Sequence, residues 1–205
     1  VKPPAGLVPT RHLAQLFVDW IGWLTGEPAS LDRSIELPAD VVAGAQAVLP
    51  DIDQAGEQPR YVGFVPGAGD TRKCWPLDRF ITVAQSLMVD DPTIKPVFLL
   101  GPDEVDWQAD IASVLPEALF PEQDESHWQG SQPGPLRAIA VAQRLQAAVS
   151  NDCGTGHMLA AGDTPLLSLF GPTEPGKFKP LNKAKTAVLA AQDFTGIPQV
   201  ACLLT

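Results

Sequence analysis

The chain has 205 residues, enough for one large or two small domains and a sizeable buried core. Its net charge of −10 argues against non-specific nucleic-acid binding and against a polybasic membrane surface. With 45% hydrophobic residues and no apolar run of the roughly 18 residues that a membrane span needs, it reads as globular and soluble.

Pro3, Pro4 and Pro9 make the first residues a loop. Leu13, Leu16, Phe17, Trp20, Ile21 and Leu24 then recur at helical spacing, which predicts an amphipathic helix with Thr10 as N-cap and an end near Gly26. Its apolar face is wide, and Trp23 adds to it off the stripe. That face must pack on the body of this chain or on a partner domain. Residues 27–60 are rich in Pro, Asp and Gln and read as a linker with a short helix over Asp40–Leu49.

From Tyr61 the pattern becomes alternating strands and helices. Strands are expected over Tyr61–Val65, Pro96–Leu100, Ala147–Val149 and Leu166–Phe170, with a short one at Ala118–Phe120 and an edge strand at Thr186–Ala190. Helices are expected over Leu77–Met88, Val105–Leu115 and Leu136–Leu145, and from about Gly156. A Pro/Gly-rich loop spans Gly130–Pro135. Such alternation implies an α/β fold, a Rossmann-like parallel sheet flanked by helices with right-handed crossovers. Ten acids and one base lie between Asp90 and Glu125, whereas Lys177, Lys179, Lys183 and Lys185 gather late. Both runs read as solvated faces; the lysines are also placed to draw in an anionic ligand. Cys74, Cys153 and Cys202 form no CxxC pair, and no signal peptide precedes them, which fits a reducing cytoplasm. They share no ligand spacing with His12, His127 or His157, and no carboxylate cluster offers a Mg²⁺ site. No metal and no cofactor is therefore expected.

Two loops that follow strands have the character of phosphate sites. Pro66-Gly67-Ala68-Gly69 is followed by Asp70-Thr71-Arg72-Lys73, so close backbone approach is combined with positive charge. The spacing is neither GxGxxG nor GxxxxGK[ST], and a plain structural turn is an equal reading of the PGAG loop. The second loop is Asp152-Cys153-Gly154-Thr155-Gly156-His157, where a strand feeds a helix N-terminus whose unpaired N–H groups suit an anion. Asp152 either caps that helix or accepts from sugar hydroxyls, and His157 either donates to phosphate or is an ordinary half-buried histidine. Glu104, or Asp103 beside it, is placed for ribose hydroxyls or is simply a helix-start acid. Cys153 sits where a helix N-terminus can lower a thiol pKa, but no partner histidine follows from spacing, so packing is the better reading.

Together, PGAG with RKCWPLDRF, then LLGPDE, then AVSNDCGTGHMLAAGDTPLLSLFGPTEP resemble the C-terminal donor-binding domain of the glycosyltransferase family 9 heptosyltransferases, over about residues 61–180. The resemblance implies one half of a GT-B architecture. It also implies an inverting transfer of heptose from ADP-heptose to a lipopolysaccharide core, in the cytoplasm or peripherally at the inner face of the inner membrane. It assigns Gly67, Ala68 and Lys73 to the donor diphosphate, and Asp152, Cys153, Gly154 and His157 to the sugar and phosphate pocket. Glu104, with Asp103 as the alternative, goes to the ribose, and Gly171, Pro172 and Thr173 line the cleft. Cys153 replaces the threonine of the family's DTG-x-x-H pattern, which removes a hydroxyl from that loop. The family's catalytic base lies in an N-terminal acceptor domain, and the segment before residue 61 is too short for one. The expected organisation is thus an interdomain helix and linker over 1–60 and a nucleotide-sugar-binding domain over 61–205, the helix around Trp20 facing the acceptor domain. The rival reading is a non-catalytic module that binds nucleotide sugars or docks on a protein.

Overall fold

Short runs of apolar residues form the centre of the molecule. In a computed structural model that describes residues 12–31, 35–53, 55–128 and 134–190, five strands make one parallel sheet. These are β1 (Arg60–Val65), β2 (Ile94–Phe98), β3 (Ala147–Asn151), β4 (Leu166–Phe170) and β5 (Thr186–Ala190), in the order β2-β1-β3-β4-β5. All four pairings are parallel. A sixth, minimal element is the parallel bridge of Leu119 to Val97 outside β2, closed by the Phe98 and Leu119 amides at 2.8 Å each. The strands are apolar on both faces because helices cover both, as parallel sheets require.

On one face α3 (Leu77–Asp90) and α4 (Trp107–Val114) pack against Val62, Phe64, Phe98, Leu100, Val149, Leu167 and Leu169. Phe64 and Phe98 are fully buried and stack at 5.2 Å. Trp75, one residue before the Pro76 N-cap of α3, meets Phe80 edge-on at 5.2 Å, a hydrophobic staple that fixes how the chain enters this helix. The other face carries α2 (Ala39–Val48), α5 (Gly134–Ala142) and α6 (Gly154–Ala161), packed on Tyr61, Val65, Val97, Leu99 and Ala148. The segment that composition reads as linker therefore sends Val41, Ala45 and Leu49 into the same core as the sheet. Its polar residues flank a small amphipathic helix that the core needs.

The first helix, α1 (Leu13–Thr25), starts with its apolar stripe; Thr10, the expected N-cap, lies outside the described residues. His12 takes the N-cap position, its Nδ1 accepting from the Ala14 amide at 3.2 Å. Its Nε2 donates to the Lys179 carbonyl at 2.8 Å and ties α1 to the body. Gly26 closes the helix in the left-handed region at φ 73°. No residue of α1 is fully buried, and Phe17, Ile21 and Leu24 remain exposed. Among the described residues no helix is long and apolar enough to cross a membrane.

At the start of α5, Arg137 is buried, bonded to Glu125 at 2.8 Å and stacked over Trp128 at 5.2 Å from the ring centre. Beside it, burial pushes the Glu122 carboxyl up to about 7 from 4.5, against the lowering influence of Arg137. The folded state thus holds this proton more tightly than the unfolded chain. The destabilisation is absent below pH 4.5 and grows as pH rises through 7. Glu122→Gln is expected to raise the Tm at pH 8 and to leave it unchanged at pH 4; an equal shift at both would contradict this origin.

Candidate ligand site at the strand C-termini

In a parallel sheet every strand's C-terminal loop opens on the same edge. The chain runs outward from β1 to β2, then crosses back over β1 to β3 and continues outward through β4 and β5, so the order reverses at the β1/β3 boundary. In open α/β sheets such a boundary is the usual ligand position, a crevice at the strand C-termini. The loops that follow β1, β2, β3 and β4, together with the first turn of α6, hold the residues that the motifs assign to the donor.

Asp152, directly after β3, joins three of these loops. Its Oδ2 accepts from Lys73 Nζ at 2.9 Å and from the Thr173 hydroxyl at 2.5 Å. Lys73 ends a 3-10 turn over Thr71–Lys73 in the β1 loop, and Thr173 lies in the loop after β4. The Asp152 side chain is 6% exposed and that of Lys73 27%. The carboxylate is therefore desolvated and held by its partners, while the Lys73 side chain keeps part of its surface exposed. Gly171 allows the third loop to approach: a Cβ there would lie 3.1 Å from the Arg72 carbonyl. Asp152 does not cap α6. The N-cap is Cys153, whose side chain makes no capping hydrogen bond. Space is open in front of Gly154 at the first turn of the helix.

Two further groups meet at the β1 and β2 loops. Glu104 places its carboxylate against Gly67 and Gly101, where a Cβ would come within 2.4 Å and 2.7 Å of it respectively. Asp103 is exposed. Of the two acids it is Glu104 that faces the PGAG loop. Ala68 lies in the same loop, with its carbonyl 4.0 Å from the Cys74 sulfur.

Other expected residues lie differently. Arg72 does not add charge to the crevice: its Nη2 donates to Asp70 at 2.7 Å and its Nε to both Asp70 oxygens. The Arg72 side chain is 79% exposed. These bonds hold the Asp70 carboxyl down at about 2. His157 faces a pocket of about 320 Å³ that it shares with His12, Phe17, Lys177 and Phe178. Burial of the ring lowers its pKa, Asp152 opposes this, and His12 and Lys73 add to it. At neutral pH it offers a neutral N–H rather than a charge. Burial likewise pushes the Cys153 thiol up, against the Gly156 and Thr155 amides and the Ser150 hydroxyl. The helix N-terminus does not win there, which suits packing over nucleophilic attack. Pro172 is exposed at the rim. The late lysines do not form one patch: Lys177 pairs with Glu174 at 3.0 Å near His157, whereas Lys185 lines a pocket with Arg60 and Gln146 at the N-terminal ends of the strands.

Asn151 was not singled out by the sequence pattern. It is fully buried, its Oδ1 accepts from the Trp75 amide at 3.0 Å, and its Nδ2 donates to the Pro66 carbonyl at 2.7 Å. The polar pair Ser150-Asn151 at the end of a strand that begins with small apolar residues is the one available signal. Next to it, Ser150 sits under the tight start of α6, where a Cβ on Gly156 would lie 2.7 Å from its hydroxyl. Among the described residues no group of three His, Cys, Asp or Glu side chains is placed to hold a metal ion.

Known proteins share this fold. The profile of glycosyltransferase family 9 (heptosyltransferase) matches residues 33–197. Lipooligosaccharide heptosyltransferase 2 of Haemophilus influenzae is 30% identical over 134 residues, which is 65% of this chain and 37% of that protein. A glycosyl transferase family 9 structure from Veillonella parvula superimposes with a TM-score of 0.72 at 21% identity, covering 95% of this chain and 53% of that one. The Escherichia coli heptosyltransferase WaaC, solved with ADP, gives a TM-score of 0.67 at 18% identity, covering 99% of this chain and 59% of that one. At these identities the two structures speak for the fold. The chain spans little more than half of either, and the aligned part little more than a third of the Haemophilus protein.

Proposed function

The chain belongs to glycosyltransferase family 9, and on that footing we propose that it forms the donor-binding half of a heptosyltransferase. The observation that carries this reading is the convergence of three strand loops on Asp152, with the Lys73 ammonium beside the crevice and the open first turn of α6 next to it. That combination suits a diphosphate. The donor is a nucleoside-diphosphate sugar, ADP-heptose, and the acceptor a lipopolysaccharide core; the ADP bound to WaaC supports the donor, and the lipooligosaccharide in the Haemophilus relative's name supports the acceptor. The reaction belongs in the cytoplasm, against the inner face of the inner membrane, as cysteine usage and the acceptor suggest.

In the whole enzyme an acceptor hydroxyl, deprotonated by a base in the facing domain, attacks the anomeric carbon. A new C–O bond forms as the bond to the diphosphate breaks, with inversion. Negative charge then builds on the leaving diphosphate. Lys73 and the α6 amides stabilise it from fixed positions, so no reorganisation is needed at the moment of reaction. Asp152 holds Lys73, Thr173 donates to Asp152, and both border the sugar, while His157 donates from the first helical turn. Glu104 accepts from the ribose hydroxyls, one loop further along the row.

The test separates ribose from phosphate. Glu104→Ala is expected to weaken ADP about 10-fold and to leave pyrophosphate, which has no ribose, unchanged in calorimetric titrations. Gly67→Ala should mimic it, because its Cβ displaces the Glu104 carboxylate rather than the backbone. Equal weakening of both ligands would remove Glu104 from the ribose.

A further inference from the structure

We propose that Asn151 is the positioning residue that holds the β1 loop in the shape in which Lys73 can meet a diphosphate. The inference rests on the donor-site reading and adds a residue to it. Lys73 stands at the end of a 3-10 turn with little anchorage of its own. No residue of that turn is buried, and its Asp70 cap is a local contact. The two ends of the loop are held from elsewhere. At the start, the Pro66 carbonyl accepts from Asn151 Nδ2 at 2.7 Å. At the finish, the Trp75 amide donates to Asn151 Oδ1 at 3.0 Å. One planar amide thus bridges both ends of the segment that contains the PGAG turn and Lys73. It projects from β3, a strand fixed by pairing on both sides.

The chemistry selects Asn for this bridge. One end of the loop offers an acceptor and the other a donor, and a carboxamide supplies the complementary pair from a single side chain. Aspartate would set an oxygen against the Pro66 carbonyl, and an aliphatic residue would take this partner from the buried Pro66 carbonyl and from the partly buried Trp75 amide. Because Asp152 follows directly, β3 fixes the loop ends with one residue and the Lys73 ammonium with the next. The same strand therefore sets the distance between the PGAG amides and the lysine.

A purely structural hydrogen bond provides the control. Thr164 is buried, and its hydroxyl donates to the Ala142 carbonyl at 2.7 Å, near the opposite edge of the sheet. Asn151→Ala and the milder Asn151→Ser are compared with Thr164→Val in the full chain, by pyrophosphate titration and by amide hydrogen exchange without ligand. We expect the Asn151 variants to raise the pyrophosphate Kd about 10-fold or more and to speed exchange at Trp75 and at Gly67–Gly69. Thr164→Val should lower the melting temperature but change neither. An unchanged Kd in folded Asn151→Ser, or an equal rise in Thr164→Val, would overturn the proposal. If the unmodified chain binds no pyrophosphate, the donor-site reading fails. The exchange comparison then decides alone, with faster loop exchange confined to the Asn151 variants supporting the positioning role and unaltered exchange rejecting it.

Discussion

Replacing Lys73 by alanine is expected to weaken ADP binding about 10- to 100-fold, since a hydrogen bond from a charged donor contributes roughly 1.5–3 kcal/mol. The same substitution removes a partner of Asp152, whose side chain is 6% exposed. Leaving a buried carboxylate with the Thr173 hydroxyl alone costs stability as well, so the melting temperature should fall together with the affinity. Arg72→Ala is the control, because its guanidinium is engaged with Asp70 and faces solvent. His157→Ala should cost less than Lys73→Ala at neutral pH, since burial keeps the imidazole uncharged there. Calorimetric titration with ADP checks all three. Unchanged affinity in a folded Lys73→Ala chain would leave the first loop as a structural turn only.

Phe64→Ala is expected to produce the largest loss of stability, about 3–5 kcal/mol. The ring is fully buried in an interior strand of the sheet, and it stacks on Phe98 at 5.2 Å. Its removal leaves a cavity between the sheet and α3 that such a dense core cannot close. Because β1 leads directly into the PGAG loop, ADP binding should be lost with the fold rather than separately. Urea unfolding gives the measurement; a loss below about 1 kcal/mol would mean that the core repacks around the gap.

The sheet was legible because its strands are short apolar runs separated by turn chemistry. Leu166–Phe170 and Thr186–Ala190 were expected at the observed limits, and Tyr61–Val65 differs by one residue. Helix limits were less accessible. The start of α6 falls at Gly154 rather than Gly156, because two glycines weaken the helical signal just where the first turn needs small residues above Ser150. The end of α5 falls at Ala142, since Arg144 and Leu145 turn back to Val141 and Ala142 and leave the helix. The packing of α2 on the sheet was hidden by the polar composition of its flanks, although Val41, Ala45 and Leu49 carry helical spacing.

Loop motifs brought the candidate site residues to attention, but not their partners. That Lys73 meets Asp152, and that Asp152 also meets Thr173, depends on which strands are adjacent and on their shared C-terminal edge. Local chemistry misled at Arg72, where Asp70 two residues earlier takes up the guanidinium. At Cys153 burial outweighs the helix N-terminus, in line with the packing reading of that residue. Asn151 carries no specific sequence signal, because polar residues at a strand end have many ordinary explanations, and only the fold shows two backbone groups meeting one amide.

The most direct test of the donor-site account is a crystal structure of this chain with ADP. The account predicts the diphosphate between the Gly67–Gly69 loop, Lys73 and the first turn of α6, with the ribose hydroxyls within hydrogen-bond reach of Glu104. ADP lodged elsewhere, or lying in the crevice without contact to Lys73 and the α6 amides, would contradict it.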